Sequence, residues 1–252
     1  MGPLFSELKQ GPPQPALVAA PDAWMAALAR IPLLHQPGRA WLYNTCSDIL
    51  GVLLARAAGR TLPDLLAERV FEPLGMRDTG FAAPPTQRHR FTSYYRAAEA
   101  QDGGALELVD APEGQWSALP VFPSGAGGLV STADDLLAFG RMLLAEGAYE
   151  GGRLLAPESV RQMTTDHLTA AQREEGALFL EGQGWGFGGS VDVARTDPWN
   201  VPGRYGWTGG TGTTAHVVPA AGAVTVLLTQ RQMSGPTPPD IMREFWTYAS
   251  AR

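Results

Sequence analysis

Hydrophobic positions in the first two-thirds of the chain recur at helical spacing. After a Pro/Gly-rich, irregular opening over residues 1–21, Asp22 is placed to cap a short helix carrying Trp24, Met25, Leu28 and Ile31 on one side. A QPGRA turn precedes Tyr43. From Ser47 the run DILGVLLARAAG keeps an apolar face until Gly59, a residue suited to the left-handed position after a helix. Thr61 caps the next segment, LPDLLAERVF, which ends near Pro73. Residues 82–122 hold few periodic signals and several turn formers, so they read as a long excursion with a hairpin around DGGALEL. Thr132 and Asp135 form a capping-box pattern ahead of Leu136, Leu137, Phe139, Met142, Leu143 and Leu144, a helix that stops at Gly147. A shorter helix follows over APESVRQM.

The period changes near residue 175. GWGFGGSVDV, RYGWTGG, TTAHVVPAAG and AVTVLLTQ read as successive strands joined by turns. AVTVLLTQ is rich in β-branched residues and fits a buried central strand. PPDIMREFWTYAS is amphipathic and would cover one face. The layout divides into an irregular segment (1–21), a mainly helical region (22–174), and an antiparallel sheet with a closing helix (175–252). That is an α+β arrangement.

Composition narrows the function. At 44% hydrophobic and 17% charged, the 252 residues can build a sizeable core. The formal charge of −6 and scattered basic residues argue against nucleic acid as a partner. There are 18 arginines and one lysine, Lys9, so a mechanism that needs a neutral amine has one candidate here. The single cysteine, Cys46, excludes an internal disulfide and reads as a small buried hydrophobe. No apolar run approaches a membrane span, and the opening MGPLFSELKQ lacks a basic start and apolar core, which reads as cytoplasmic unless a leader lies upstream.

Several motif matches fail on context. Gly184, Gly186 and Gly189 satisfy G-x-G-x-x-G, but a strand follows where a dinucleotide site needs a helix. There is no G-x-S-x-G elbow, and the four histidines lack ligand spacing. Two pieces remain. Tyr43 sits on a turn just before a helix and is placed either to pack or to aim its hydroxyl into a cleft. The stretch YGWTGGTGTTAHVVP from Tyr205 combines a strand with glycines, which either form a sheet corner or let another backbone come close.

Together, WLYNTCSDILGVLLARAAG, FEPLGMRDTGF, SGAGGLVSTADDLLAFGRMLL and GWTGGTGTTAHVVP resemble, in this order, the β-lactamase-related serine hydrolases. That group contains class C β-lactamases, D-alanyl-D-alanine peptidases and family VIII esterases. The resemblance runs from about Pro32 to Ser250 and lies closest to the esterase branch. It implies a β-lactamase/penicillin-binding-protein-like fold and acyl-enzyme hydrolysis of esters or amides, with no metal or organic cofactor. Tyr43 corresponds to the tyrosine that activates the serine and protonates the leaving group. The Gly210 N–H corresponds to half of the oxyanion hole. Trp207, Thr208 and Gly209 stand at the Lys-Thr-Gly motif, and Thr45 where many lactamases have asparagine, with Asn44 one place early. Trp207 in place of lysine favours neutral esters over β-lactams. Trp185 and Tyr205 are expected as further wall residues.

The family's nucleophile lies in Ser-x-x-Lys on a buried helix. This sequence has one such match, Ser6 with Lys9, but the QGPPQP that follows ends a helix after about one turn, and the interval to Tyr43 is shorter than the family's. The stronger expectation is a chain lacking the N-terminal strands and nucleophile helix. Such a chain would expose a sheet edge and pair with a second copy or a separate N-terminal fragment. An alternative is a binding or regulatory protein that keeps the fold without the chemistry.

Overall fold

The structure, a computed structural model, describes residues 8–9, 14–43, 45–98 and 105–250. Ser6 and Asn44 lie outside the described residues.

Helix α1 (Pro21–Leu28) starts on a proline, whose fixed φ suits the first helical position. Ala20 stands at the N-cap and Asp22 falls in the first turn, so the expected Asp22 cap is not made. Helix α2 (Thr45–Ala58) begins at Thr45, ahead of the expected Ser47, and Gly59 ends it at φ +62. The Thr61 hydroxyl accepts the Asp64 N–H and starts α3 (Leu62–Leu66), which runs through a wider turn at Ala67–Phe71 into α4 (Glu72–Leu74). Trp24, Ala27, Val52 and Phe122 form one core with Leu8.

The excursion contains the hairpin of β1 (Tyr94–Ala97) and β2 (Leu106–Asp110). Helix α5 (Ala133–Leu144) is capped as expected, the Thr132 hydroxyl accepting the Asp135 N–H. The Asp135 carboxylate does not return the bond. It accepts from the Asp78 N–H at 2.9 Å and the Thr79 hydroxyl at 2.7 Å, tying the excursion to the helix. A small ribbon, β3 (Ala148–Tyr149) and β4 (Gly152–Arg153), leads to α6 (Pro157–Met163), α7 (Ala170–Glu175) and α8 (Ala177–Leu180).

The main sheet is antiparallel with neighbours in chain order: β5 (Gly184–Trp185), β6 (Ser190–Val191), β7 (Tyr205–Gly209), β8 (Thr213–Val218) and β9 (Ala223–Leu228). Side chains alternate between its faces. Val217 packs with Met142 and Leu143 of α5, whereas its neighbour His216 meets Trp246 of α9 (Asp240–Ser250) edge-on at 5.4 Å. Gly140 lets α5 close on β9, since a methyl group there would strike Val224.

Strand β9 pairs along its whole length with β8. AVTVLL has the composition of a central strand, and among the described residues its one ladder partner is β8.

Beneath α9 lies a buried polar network. Arg204 Nε donates to Asp192 Oδ2 at 2.9 Å, with side-chain exposures of 4% and 0%. Asp192 also accepts from Gln183 Nε2, Asn200 Nδ2 and the Val201 N–H. His216 lies fully inside, its Nδ1 3.1 Å from the Thr214 hydroxyl. Burial first, and the Arg204 charge second, push its pKa well below the ordinary histidine value. Native His216 therefore stays neutral at pH values where the unfolded chain takes a proton. Its contribution to stability is complete above the unfolded histidine pKa and is lost as pH falls below it. We expect a loss of up to about 1.4 kcal/mol per pH unit below about pH 6.5. Urea unfolding at several pH values should flatten over this range in His216→Gln, and an unchanged slope would refute the assignment.

Candidate active site

The loop entering α2 carries Trp41 and Tyr43 to the sheet. Tyr43 stacks on Phe179 of α8 (4.8 Å, 30°) and meets Trp207 of β7 at 5.5 Å. Trp185 stands edge-on to both Tyr43 and Trp207, at 6.1 and 4.7 Å. Trp41 packs behind, 5.1 Å from Trp185. The Trp207 indole N–H donates to the Tyr43 hydroxyl at 2.6 Å, a bond spanning 164 positions of sequence. Desolvation raises the Tyr43 pKa above its ordinary value, and the indole donor partly opposes that. Tyr43 is thus a neutral phenol at neutral pH. It needs a nearby positive charge to act as a base.

Tyr43 and Trp207 line a cleft of about 790 Å³ between the helical region and the sheet. Thr45, Thr208, Gly209 and Gly210 line it too, so six of the residues expected from sequence come together there. Lys9 also lines it, with φ +53, a turn conformation rather than a helical one. Trp185 backs the tyrosine from within the aromatic cluster. Tyr205 is not brought to the site. It packs with Met142, Val160 and Val191 in the core, donates to the Phe187 carbonyl at 2.7 Å, and burial pushes its pKa up to about 12.

Gly210 occupies the turn from β7 to β8. Its carbonyl accepts the Met233 N–H at 2.9 Å, and among the described residues its own N–H meets no acceptor. A methyl group added at Gly210 would meet no atom within 4 Å, and its φ is not in the left-handed region. Nothing in the free protein demands glycine there, but close approach by a substrate would. Gly212, two residues on, is at φ +90 and packed against the Arg231 carbonyl. Gly210→Ala is therefore expected to change stability by under about 0.5 kcal/mol, and Gly212→Ala by more than about 1 kcal/mol through strain. Thermal melts of the two variants check the contrast.

Sequence reasoning missed the cleft's polar floor. Asp48 is 5% exposed and points into the cleft from α2, one turn after Thr45. Its carboxylate accepts from the Ser124 hydroxyl at 2.6 Å and the Ala126 N–H at 3.3 Å. Ser124 in turn accepts from the Ala126 and Gly127 N–H groups. Gly51 and Gly125 bring the loop against α2, since a methyl on Gly125 would overlap the Ser47 carbonyl. A charged residue inside an apolar helical run, followed later by SGAGG, was the available signal. Cys46 is exposed, not buried as its type suggested, because the helix turns it outward. Asp166 lies in a loop, paired with Arg173 at 2.5 Å and accepting the Trp185 N–H.

The Beta-lactamase family profile matches residues 5–244. The chain belongs to the β-lactamase-related serine hydrolase family. Within that family it is 41% identical over 218 residues to Protein Rv1367c of Mycobacterium tuberculosis, covering 83% of this chain and 53% of that protein. It is 31% identical over 237 residues to Esterase EstB of Burkholderia gladioli, covering 85% of this chain and 56% of the esterase. The chain thus spans about half the length of these curated relatives. Among solved structures, EstCE1, a hydrolase with promiscuous acyltransferase activity, superposes with a TM-score of 0.77 at 24% identity, over 93% of this chain and 62% of EstCE1. Simvastatin synthase LovD from Aspergillus terreus gives 0.71 at 22% identity, over 89% of this chain and 57% of LovD. These likenesses establish the β-lactamase/penicillin-binding-protein-like fold.

Proposed function

We propose that the protein serves acyl-enzyme hydrolysis of small esters or amides, with esters favoured over β-lactams. The observation that carries the reading is the Trp207–Tyr43 hydrogen bond in the cleft that also holds Gly210. In this reading a serine oxygen attacks the acyl carbon and its proton passes to Tyr43. Tyr43 returns the proton to the leaving oxygen or nitrogen, and water then repeats the sequence on the acyl-enzyme. The Gly210 N–H donates to the oxyanion. A lysine ammonium beside Tyr43 would make the phenolate accessible, which its raised pKa otherwise prevents.

Trp207 supports the preference for esters, because it offers no cation to a substrate carboxylate. Trp24, Phe81, Phe122 and Phe179 give the cleft an apolar lining. Thr45 and Thr208 are assigned to holding the substrate, and Trp185 to backing the site. The serine and lysine are assigned to a Ser-x-x-Lys helix in further polypeptide that docks beside Tyr43. The turn at Lys9 disfavours Ser6 and Lys9 as that pair. The second reading, a binding protein with a retired site, is favoured by the neutral Tyr43.

The test is intact mass after exposure to a fluorophosphonate, for this chain alone and for a version extended by polypeptide bearing Ser-x-x-Lys. One adduct on the extended protein only is expected. An adduct on this chain that vanishes in Ser6→Ala would move the nucleophile to Ser6. No adduct on a folded, extended protein would sink the hydrolase reading.

A further inference from the structure

The turn that carries Gly210 runs Gly209-Gly210-Thr211-Gly212, with glycine at three of its four positions. Glycine samples backbone conformations more freely than any other residue. No atom lies within 4 Å of where a methyl group on Gly210 would stand, so packing does not hold it. An oxyanion donor works by standing in place before charge develops. A turn of this composition must therefore be held from outside.

Hydrogen bonds to the segment after β9 supply that hold. The Gly212 N–H closes the turn on the Gly209 carbonyl at 2.9 Å. The Gly212 carbonyl accepts twice from one residue, from the Thr229 N–H at 3.2 Å and from the Thr229 hydroxyl at 2.7 Å. The N–H bond extends the β8–β9 ladder one step beyond Thr213 and Leu228, and any residue but proline could make it. The hydroxyl bond needs a short side chain with an oxygen. That same oxygen accepts the Arg231 N–H at 3.4 Å. It thus holds the turn on one side and bends the chain after β9 on the other. Two residues further on, the Met233 N–H reaches the Gly210 carbonyl at 2.9 Å. Gly212, at φ +90, admits this approach, since a methyl group there would overlap both the Thr229 hydroxyl and the Arg231 carbonyl.

The segment is itself anchored to the β1–β2 hairpin. The Tyr95 N–H donates to the Gln230 carbonyl at 2.8 Å, and the Gln232 N–H donates to the Tyr95 carbonyl at 2.7 Å. The Gln230 side-chain amide donates to the Ser93 carbonyl at 2.9 Å. The turn is therefore tied to a fixed support.

The geometry points to Thr229 as a positioning residue for the Gly210 N–H. Gly210, Gln232 and Met233 line the cleft, whereas Thr229 is not among its described lining residues, so its hydroxyl acts through the backbone of the turn. The inference rests on the hydrolase reading, in which that N–H receives the oxyanion. Without the hydroxyl the donor loses its fixed direction. The loss falls on the transition state, while the apolar lining that binds the resting substrate is untouched.

The experiment compares Thr229→Ala with Thr229→Ser, two variants that differ by the oxygen alone, after melts show both folded. In this chain, amide exchange reads the hold on the turn. Gly212 and Met233 should exchange about 10-fold faster in Thr229→Ala than in Thr229→Ser, through local opening, with the β7–β8 ladder away from the turn unchanged. In the protein extended by polypeptide bearing Ser-x-x-Lys, Thr229→Ala should lower kcat for ester hydrolysis about 10–100-fold with KM little changed, and Thr229→Ser should keep most of the activity. Equal exchange in the two variants would overturn the proposal. So would an active extended protein in which Thr229→Ala loses nothing, loses affinity instead of kcat, or is matched by Thr229→Ser. An extended protein inactive before any substitution would bring down the hydrolase reading, and this inference with it.

Discussion

Asp192→Ala is expected to cost about 3–5 kcal/mol of folding stability. The carboxylate is fully buried and is the only counter-charge seen on Arg204 among the described residues. Its loss strands the guanidinium and also leaves the Gln183 and Asn200 amides and the Val201 N–H without their acceptor. The penalty comes from uncompensated buried polarity, not from the attraction lost. A domain of this kind holds about 5–15 kcal/mol in all, so much of the protein would unfold in mild denaturant. The double variant Asp192→Leu with Arg204→Met removes both charges and should recover part of the loss. Arg96→Gln breaks an exposed pair with Glu107 and should cost under about 1 kcal/mol. Urea midpoints decide the matter. If Asp192→Ala moves no further than Arg96→Gln, the network does not carry the stability assigned to it.

Tyr43→Phe is expected to lower ester hydrolysis by about 10²–10⁴-fold in a protein with its nucleophile in place. The ring would keep its stack on Phe179 and its contacts with Trp185, so folding should change little. The loss should fall on kcat, since the hydroxyl handles a proton that moves only in the transition state. Trp207→Phe offers the complementary check. It removes the one described donor to the phenol, so Tyr43 should titrate still higher and the alkaline shift of the rate profile should follow. Full activity in Tyr43→Phe would transfer the proton-handling role to another group.

Local chemistry explains which features were legible in the sequence. Thr61 and Thr132 cap their helices, and Gly59 closes one, because each acts on backbone groups within a turn of itself. The Asp22 cap failed because Pro21 offers a competing way to start the same helix. Longer-range features resisted. The composition of β9 reports how apolar its surroundings should be, but not which strands stand beside it. Tyr205 and Trp207 sit two residues apart and share a face, yet one is core and the other reaches the cleft. That depends on where the aromatic cluster of Trp41, Tyr43 and Phe179 arrives from far away in the chain. Asp48 and Ser124 meet only because two glycine backbones touch.

That glycine contact has a mechanical consequence. Where Gly51 meets Gly125 there are no side chains to act as a deformable cushion. The helix that aims Tyr43 and the loop that holds Ser124 must travel together as one rigid jaw. Any breathing of the cleft is left to its opposite wall, the turn through Gly210 and the segment after β9. A substrate larger than the resting gap would be admitted by the sheet side yielding, with the tyrosine held still.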